Sequence, residues 1–350
     1  MKRIYLITGA GGFLGNTVAR HISLQPGDEI RALLLPKESS KSLEGIPCSI
    51  YRGDITQKES LTSFFQVPAG FQIIVIHCAA VVSIGSRFDE SVFRVNVLGT
   101  ENVGELCQKV GGTLIYVSSV HAIQEGPEGT IIRETKNFDP EQVQGFYAKS
   151  KALAAQAILR QVEQTGLRAC IVHPSGLIGP GDYGNTHMTH LILQAMEGHL
   201  PAIVKGGYDF VDVRDVAMGI LSAVDRGKSG ETYLLTNRYA TISQVVDLVA
   251  RTVKRRKIRT VIPLWTAKLT APVMETYSRW RKTVPLFTGY SLYTLQSNSN
   301  FSHEKADQEL GYRNRPLEVT IRDTVTWLKR SHRFSKQNWK TVYSLSTANN

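Results

Sequence analysis

The sequence predicts an α/β protein built on a doubly wound parallel sheet, with a smaller lobe toward the C-terminus. Three observations carry this prediction. Short apolar runs alternate with helix-length amphipathic patterns through the first half of the chain. A glycine-rich turn follows the first of those runs. After Pro174 the alternation fades, and glycine and proline become frequent in PSGLIGPGDYGN.

The elements follow in order. Arg3–Thr8 reads as the first strand, and Leu14–Ser23 as an amphipathic helix beyond the glycine turn. Glu29–Leu35, Cys48–Arg52, Ile73–Cys78, Thr113–Ser118 and Ala169–His173 read as strands two to six. Ser91–Lys109 and Tyr147–Glu163 carry helical patterns. Right-handed crossovers turn such an alternation into a sheet wound in both directions. Phe210–Val213 and Thr232–Leu235 are expected to return to that sheet. Pro263–Pro285 is amphipathic through Trp265, Leu269, Val273, Met274, Tyr277 and Trp280. It reads as a core-facing helix pair, with a cap over a binding site or a membrane-surface segment as alternatives. Residues after about Ser331 are polar and basic without period, and read as a loosely ordered tail.

Composition narrows the class. At 350 residues, 42% hydrophobic and 20% charged, the chain has the balance of a soluble globular protein with a sizeable core. No apolar run approaches the roughly 20 residues of a membrane span. The start, MKRIYLITGAGG, breaks into glycines too early for a secretory signal. Cys48, Cys78, Cys107 and Cys170 form no CxxC pair and no ligand spacing, which suggests reduced thiols in the cytoplasm and no metal site. The net charge of +11 draws much on Arg251–Arg259, RTVKRRKIR. That run reads as a solvated helix end and a basic loop, with a nucleic-acid or anionic-lipid surface as the alternative.

The turn itself is Thr8-Gly9-Ala10-Gly11-Gly12-Phe13-Leu14-Gly15. Glycines three apart between a strand and a helix serve a tight turn, a close backbone approach to a pyrophosphate, and close helix–strand packing. The helix N-terminus then offers free N–H groups to the phosphates. This is the Rossmann-type context for a dinucleotide. It divides the chain into a dinucleotide-binding domain over residues 1–175, with 205–240 returning to it, a mainly substrate-binding lobe over 176–330, and the tail 331–350.

Tyr147 and Lys151 stand four apart and share one helix face. A neighbouring ammonium favours phenolate, so Tyr147 is expected to have a lowered pKa and to exchange a proton near neutral pH.

The GxxGxxG spacing with its preceding threonine resembles the extended branch of the short-chain dehydrogenase/reductase superfamily, and the resemblance runs along nearly the whole chain. Gly53-Asp54-Ile55 matches the element whose aspartate accepts from the adenine amino group. His77-Cys78-Ala79-Ala80 matches the HxAA that lines the middle of the cofactor, and Asn96 the structural asparagine of the next helix. Ser119, in YVSS, takes the place of the catalytic serine, and Tyr147 and Lys151 those of YxxxK. His173-Pro174 with Ile178-Gly179-Pro180, and Phe210 to Ala217, match two later motifs.

The resemblance implies a catalytic set of Ser119, Tyr147 and Lys151. It implies a dinucleotide held by Gly9, Gly12, Phe13, Leu14, Gly15, Asp54, Ile55, Ala79, Ala80, Tyr147, Lys151 and Pro174. No acid occupies the end of the second strand, and Lys37 follows it, so NADP is expected in preference to NAD. Ser83 and Ile84, His121, Phe146, Tyr183 and His187 are candidate substrate residues. Tyr208 stands where nucleotide-sugar enzymes usually carry an arginine. The expected reaction is therefore reduction of a ketone or aldehyde, or oxidation of a secondary alcohol, on a fairly apolar small molecule, in the manner of dihydroflavonol reductases and hydroxysteroid dehydrogenases. A nucleotide-sugar epimerase or dehydratase and a non-catalytic dinucleotide-binding regulator are the alternatives. The resemblance also implies a homodimer through Ser91–Lys109 and Tyr147–Glu163. No nucleic-acid partner and no transmembrane segment are expected.

Overall fold

The computed structural model describes residues 2–82, 89–269 and 289–331. Seven parallel strands form the main sheet: β1 (Lys2–Thr8), β2 (Glu29–Leu34), β3 (Ser49–Arg52), β4 (Phe71–His77), β5 (Thr113–Val117), β6 (Arg168–Pro174) and β10 (Thr232–Leu235). Their order is β10-β6-β5-β4-β1-β2-β3. The chain leaves β1 toward β2 on one side and comes back to β4 on the other. The crevice above the ends of β1 and β4 is thus the switch point where such sheets take ligands. Helix α1 (Phe13–Ser23) follows β1 directly.

Burial explains why these segments are strands. Ile4, Leu6, Val75, Leu114 and Ile171 face one apolar layer of the core. Tyr5, Ile7, Ile74, Ile76, Ile115 and Val172 face the other. A sheet covered on both faces needs apolar residues at successive positions, not alternate ones. The six expected strands lie within two residues of their expected ends.

Three expectations change. Phe210–Val213 does not join the main sheet. It lies in and just after β9 (Gly207–Asp212), the middle of a separate three-stranded sheet. There it pairs antiparallel with β11 (Arg238–Thr241) and parallel with β7 (Gly176–Ile178), while β8 (Ile203–Val204) pairs parallel with β12 (Val261–Ile262) in a two-stranded ladder apart from both sheets. Every residue of β9 is buried, so its apolar pattern does not say which sheet it belongs to. Thr232–Leu235 does return to the main sheet, at its edge beside β6.

The helix expected over Ser91–Lys109 is interrupted. Glu90–Phe93 and Gly99–Lys109 are α-helical, but Arg94–Leu98 between them is widened to a π-turn. Asn96 gives the reason: its amide donates to the Val81 carbonyl at 3.0 Å and accepts from the Val81 N–H at 2.8 Å. That pull on the turn is anchored by Thr100, whose hydroxyl donates to the Asn96 carbonyl at 2.7 Å.

The amphipathic stretch is described only as far as residue 269; its remainder lies outside the described residues, as does the tail beyond Ser331 and the pair Ser83 and Ile84. Trp265 and Leu269, expected in a core-facing pair, are 66% and 70% exposed. The helix over 264–269 buries Ala267 against Leu292 and turns its opposite face outward. No helix among the described residues is long and apolar enough to cross a membrane.

Candidate active site

Gly9 has φ +64, a left-handed conformation that suits glycine, and a Cβ there would come within 2.7 Å of the Ala79 amide nitrogen. A Cβ on Gly15 would run into the Gly9 carbonyl oxygen. Gly12 is the N-cap of α1 and has no side chain to bond the first N–H groups, and Phe13 and Leu14 bury beneath it. The result is an open, backbone-lined cradle at the N-terminus of an eleven-residue helix, the chemistry a pyrophosphate requires. The residues present therefore fit a dinucleotide.

The other residues expected to meet a cofactor stand at or just after the ends of the sheet's strands. Ala79 and Ala80 follow the end of β4, with the Ala79 N–H donating to the Thr8 hydroxyl at 3.3 Å. Asp54 follows β3, half-buried, its Oδ1 accepting from the Thr56 N–H and hydroxyl at 2.9 and 2.8 Å. Ile55 is buried against Gly99, and Pro174 is buried at the end of β6.

The end of β2 differs from expectation. Lys37 is exposed. Glu38 folds back on the strand end: its Oε2 accepts from the Leu35 N–H at 2.9 Å, and its Oε1 stands against Gly11 of the glycine turn. Arg52 ties this turn down by donating to the carbonyls of Leu35, at 3.0 Å, and Glu38. A carboxylate thus lies beside the cradle after all. A tight turn brings it there from three residues beyond Leu35, a distance that inspection of the strand end alone does not span.

Tyr147 and Lys151 project from the helix Phe146–Thr165. Gly145, at φ +91, starts that helix, and a Cβ there would strike the ring of Tyr290. Ser119 lies just past β5, extended, and its hydroxyl accepts from the His121 N–H at 3.2 Å. Its backbone carbonyl is held by buried His173, whose Nδ1 bonds it at 2.9 Å. The Ser119 hydroxyl bears on the Tyr147 phenol.

The electrostatics reverse one expectation. Burial pushes the Tyr147 phenol up to about 12, and the hydrogen bond with Ser119 only partly opposes it. The Lys151 ammonium is itself desolvated and drawn down to about 8. It donates to the Val117 carbonyl at 2.9 Å and lies 5.2 Å from the centre of the Tyr116 ring. Spacing on the helix is right, but the cost of removing a phenolate from water exceeds what an ammonium held by a carbonyl returns.

The wall facing Tyr147 is aromatic. His121 meets Tyr147 edge-on, with ring centroids 6.1 Å apart, and stacks on Tyr208 at 5.5 Å, where its Nε2 bonds the Tyr208 hydroxyl at 3.2 Å. Tyr290 leans on His121 at 5.9 Å. Burial lowers His121 to about 4, so the imidazole is neutral at ordinary pH. Phe146 stands at the rim, 37% exposed. Tyr183 is not in this group: it packs on Trp327 at 5.6 Å and beneath the Arg20 guanidinium. His187 opens the helix His187–Glu197. Tyr208 and Tyr290 were missed as site residues. Tyr208 was visible as a departure from a motif, whereas nothing local to Tyr290 signals that its ring reaches Gly145.

Residues 5–236 match the model of the NAD dependent epimerase/dehydratase family. The chain belongs to that family. A provisionally named dihydroflavonol 4-reductase of Synechocystis sp. is 30% identical over 334 residues, covering 94% of this chain and 95% of that protein. Sterol demethylase protein B of Methylococcus capsulatus is 27% identical over 327 residues, covering 93% and 98%. Among solved structures, gox2253 superposes with a TM-score of 0.81 at 29% identity, covering 96% of this chain and all of that one. The resemblance to extended short-chain dehydrogenases/reductases therefore stands, and the chain is an enzyme of oxidoreductase type.

Proposed function

We propose that the protein reduces a ketone or aldehyde, or oxidises a secondary alcohol, on a fairly apolar small molecule, with Tyr147 as the general acid/base. One observation carries this reading: the half-buried Tyr147 phenol stands beside the Ser119 hydroxyl and faces a wall made by His121, Tyr208 and Tyr290. A phenol held protonated is set to give a proton to a developing alkoxide. Ser119 orients the substrate oxygen toward it, and neutral aromatic rings suit an apolar body. Lys151 would hold the ribose of a bound dinucleotide. The bound nicotinamide supplies the hydride chemistry.

The cofactor reading follows Glu38. A carboxylate beside the glycine turn can accept from a ribose 2′-hydroxyl and repels a 2′-phosphate. We therefore favour NAD over the NADP suggested by Lys37. The twofold assembly is expected through the outer faces of Gly99–Lys109 and Phe146–Thr165, and four cysteines without disulfides suit the cytoplasm. Residues 176–330 would supply most of the substrate lobe, with the glycine-turn domain before it.

The nucleotide-sugar alternative is disfavoured because Tyr208, in place of a diphosphate-binding arginine, is committed to His121. A panel of apolar ketones, aldehydes and nucleotide sugars, followed by dinucleotide absorbance, tests the choice. Turnover of an apolar carbonyl, reduced by about a hundredfold or more in Tyr147→Phe, is expected. Conversion of nucleotide sugars alone, or undiminished turnover in Tyr147→Phe, refutes the reading.

A further inference from the structure

The basic run and the exposed tryptophan belong to one continuous stretch of chain. Arg251, Lys254, Arg255, Arg256 and Arg259 are exposed at the end of the helix Ile242–Thr252 and in the loop after it, and Lys268 is exposed nearby in sequence. No acidic residue occurs from 248 to 268. Lys257 pairs with Asp247 at 2.8 Å, while no ion pair is made by the other six cations among the described residues. The strand Val261–Ile262 then docks on Ile203–Val204, with Val261 46% exposed.

Trp265 and Leu269, four apart on the helix over 264–269, point the same way and stand 66% and 70% exposed. The other face of that helix is fixed: Ala267 packs with Leu292, Ile262, Leu264 and Val204. Leu292 shares the helix Gly289–Thr294 with Tyr290, which leans on His121. The exposed apolar tip therefore sits on the support of the aromatic wall beside Tyr147.

We infer that residues 251–269 form a docking surface for an anionic lipid bilayer. A solvated basic loop accounts for the cations but gives no reason to hold an indole and a leucine in water. A nucleic-acid surface needs the cations and not the apolar tip. An anionic membrane uses both: cations are drawn to the headgroups, and tryptophan with leucine enters the interface. The surface stands independently of the substrate reading, although it would bring the aromatic wall close to a bilayer that stores apolar molecules.

Co-sedimentation of the full chain with mixed phosphatidylcholine/phosphatidylglycerol vesicles, against pure phosphatidylcholine, tests this. Binding to the anionic vesicles alone, weakened by salt, is expected. Arg256→Gln with Arg259→Gln should lower partition about 25-fold, taking each cation at about fivefold. Trp265→Ser with Leu269→Ser should lower it by about tenfold or more. Unchanged thermal unfolding of both variants shows that the fold is intact, and these residues touch neither Tyr147 nor the glycine turn. Absence of sedimentation with anionic vesicles overturns the inference. So does vesicle binding indifferent to the tryptophan–leucine pair, with equal or tighter retention on duplex DNA.

Discussion

The Lys151 ammonium donates to the Val117 carbonyl at 2.9 Å, two residues before the serine that bears on the Tyr147 phenol. Strand end, serine, phenol and ammonium are thereby coupled through one short piece of backbone. The ammonium is desolvated and loses its proton at about 8. A lysine depressed in this way is charged below that value and neutral above it. If the charged form is the one that supports cofactor binding and proton transfer, carbonyl-reducing kcat/KM should fall as pH rises through about 8. Lys151→Met should lower kcat/KM by about a hundredfold and abolish that inflection. A wild-type profile flat to well above that pH would show that the charge on Lys151 is not used.

The proposed preference for NAD rests on the charge of Glu38. Its carboxylate is anchored to the Leu35 N–H at 2.9 Å and stands against Gly11. Glu38→Gln retains the acceptor and removes the charge. The ratio of kcat/KM for NADH over NADPH should fall by about tenfold in that variant, the size of a moderate charge–charge interaction near the surface. Wild-type enzyme that prefers NADPH would overturn the assignment outright.

Much of the first half was legible because periodicity and local chemistry coincide there. Gly9, Gly12 and Gly15 sit between a strand and a helix, and Tyr147 and Lys151 lie on one helix, so neighbours in sequence are neighbours in space. What escaped depends on pairings between distant segments. Phe210 lies opposite Arg238 and Gly176, a choice its uniform burial does not encode. Tyr290 reaches Gly145 across the fold. The raised Tyr147 pKa follows from burial, which a helix spacing cannot report.

His77 joins the glycine turn to the widened helix. The Thr100 hydroxyl donates to the Asn96 carbonyl at 2.7 Å, so it accepts from His77 Nε2–H at 2.9 Å. Nδ1 is then the acceptor for the Thr8 hydroxyl at 2.6 Å. Asn96 continues the chain to the Ser150 hydroxyl at 3.0 Å, and Ser150 donates to the Tyr147 carbonyl at 2.7 Å. His77→Leu keeps comparable bulk but strands a buried donor on Thr8 and a buried acceptor on Thr100. A loss of about 2–4 kcal/mol is expected, read as a lower denaturant midpoint with an unchanged m-value. A midpoint that does not move would mean that the hydroxyls find other partners.

Asp209 places a pH dependence in the fold itself. It is fully buried; its Oδ1 accepts from the Ser175 hydroxyl and from the Asn237 N–H at 3.0 Å, while Oδ2 is buried without a partner. Desolvation outweighs those bonds and raises the carboxyl from 3.8 to about 6. The folded state then binds more protons than the unfolded state between those two values. Stability from this group is fully present in the protonated form, declines as pH rises through that window, and is constant above it. Asp209→Asn has no proton to lose. Relative to that variant, the wild type should lose about 2 kcal/mol between pH 4 and pH 7, measured by denaturant unfolding at each pH. Parallel stability curves for the two proteins would show that water reaches Oδ2 and relieves the burial that the argument requires.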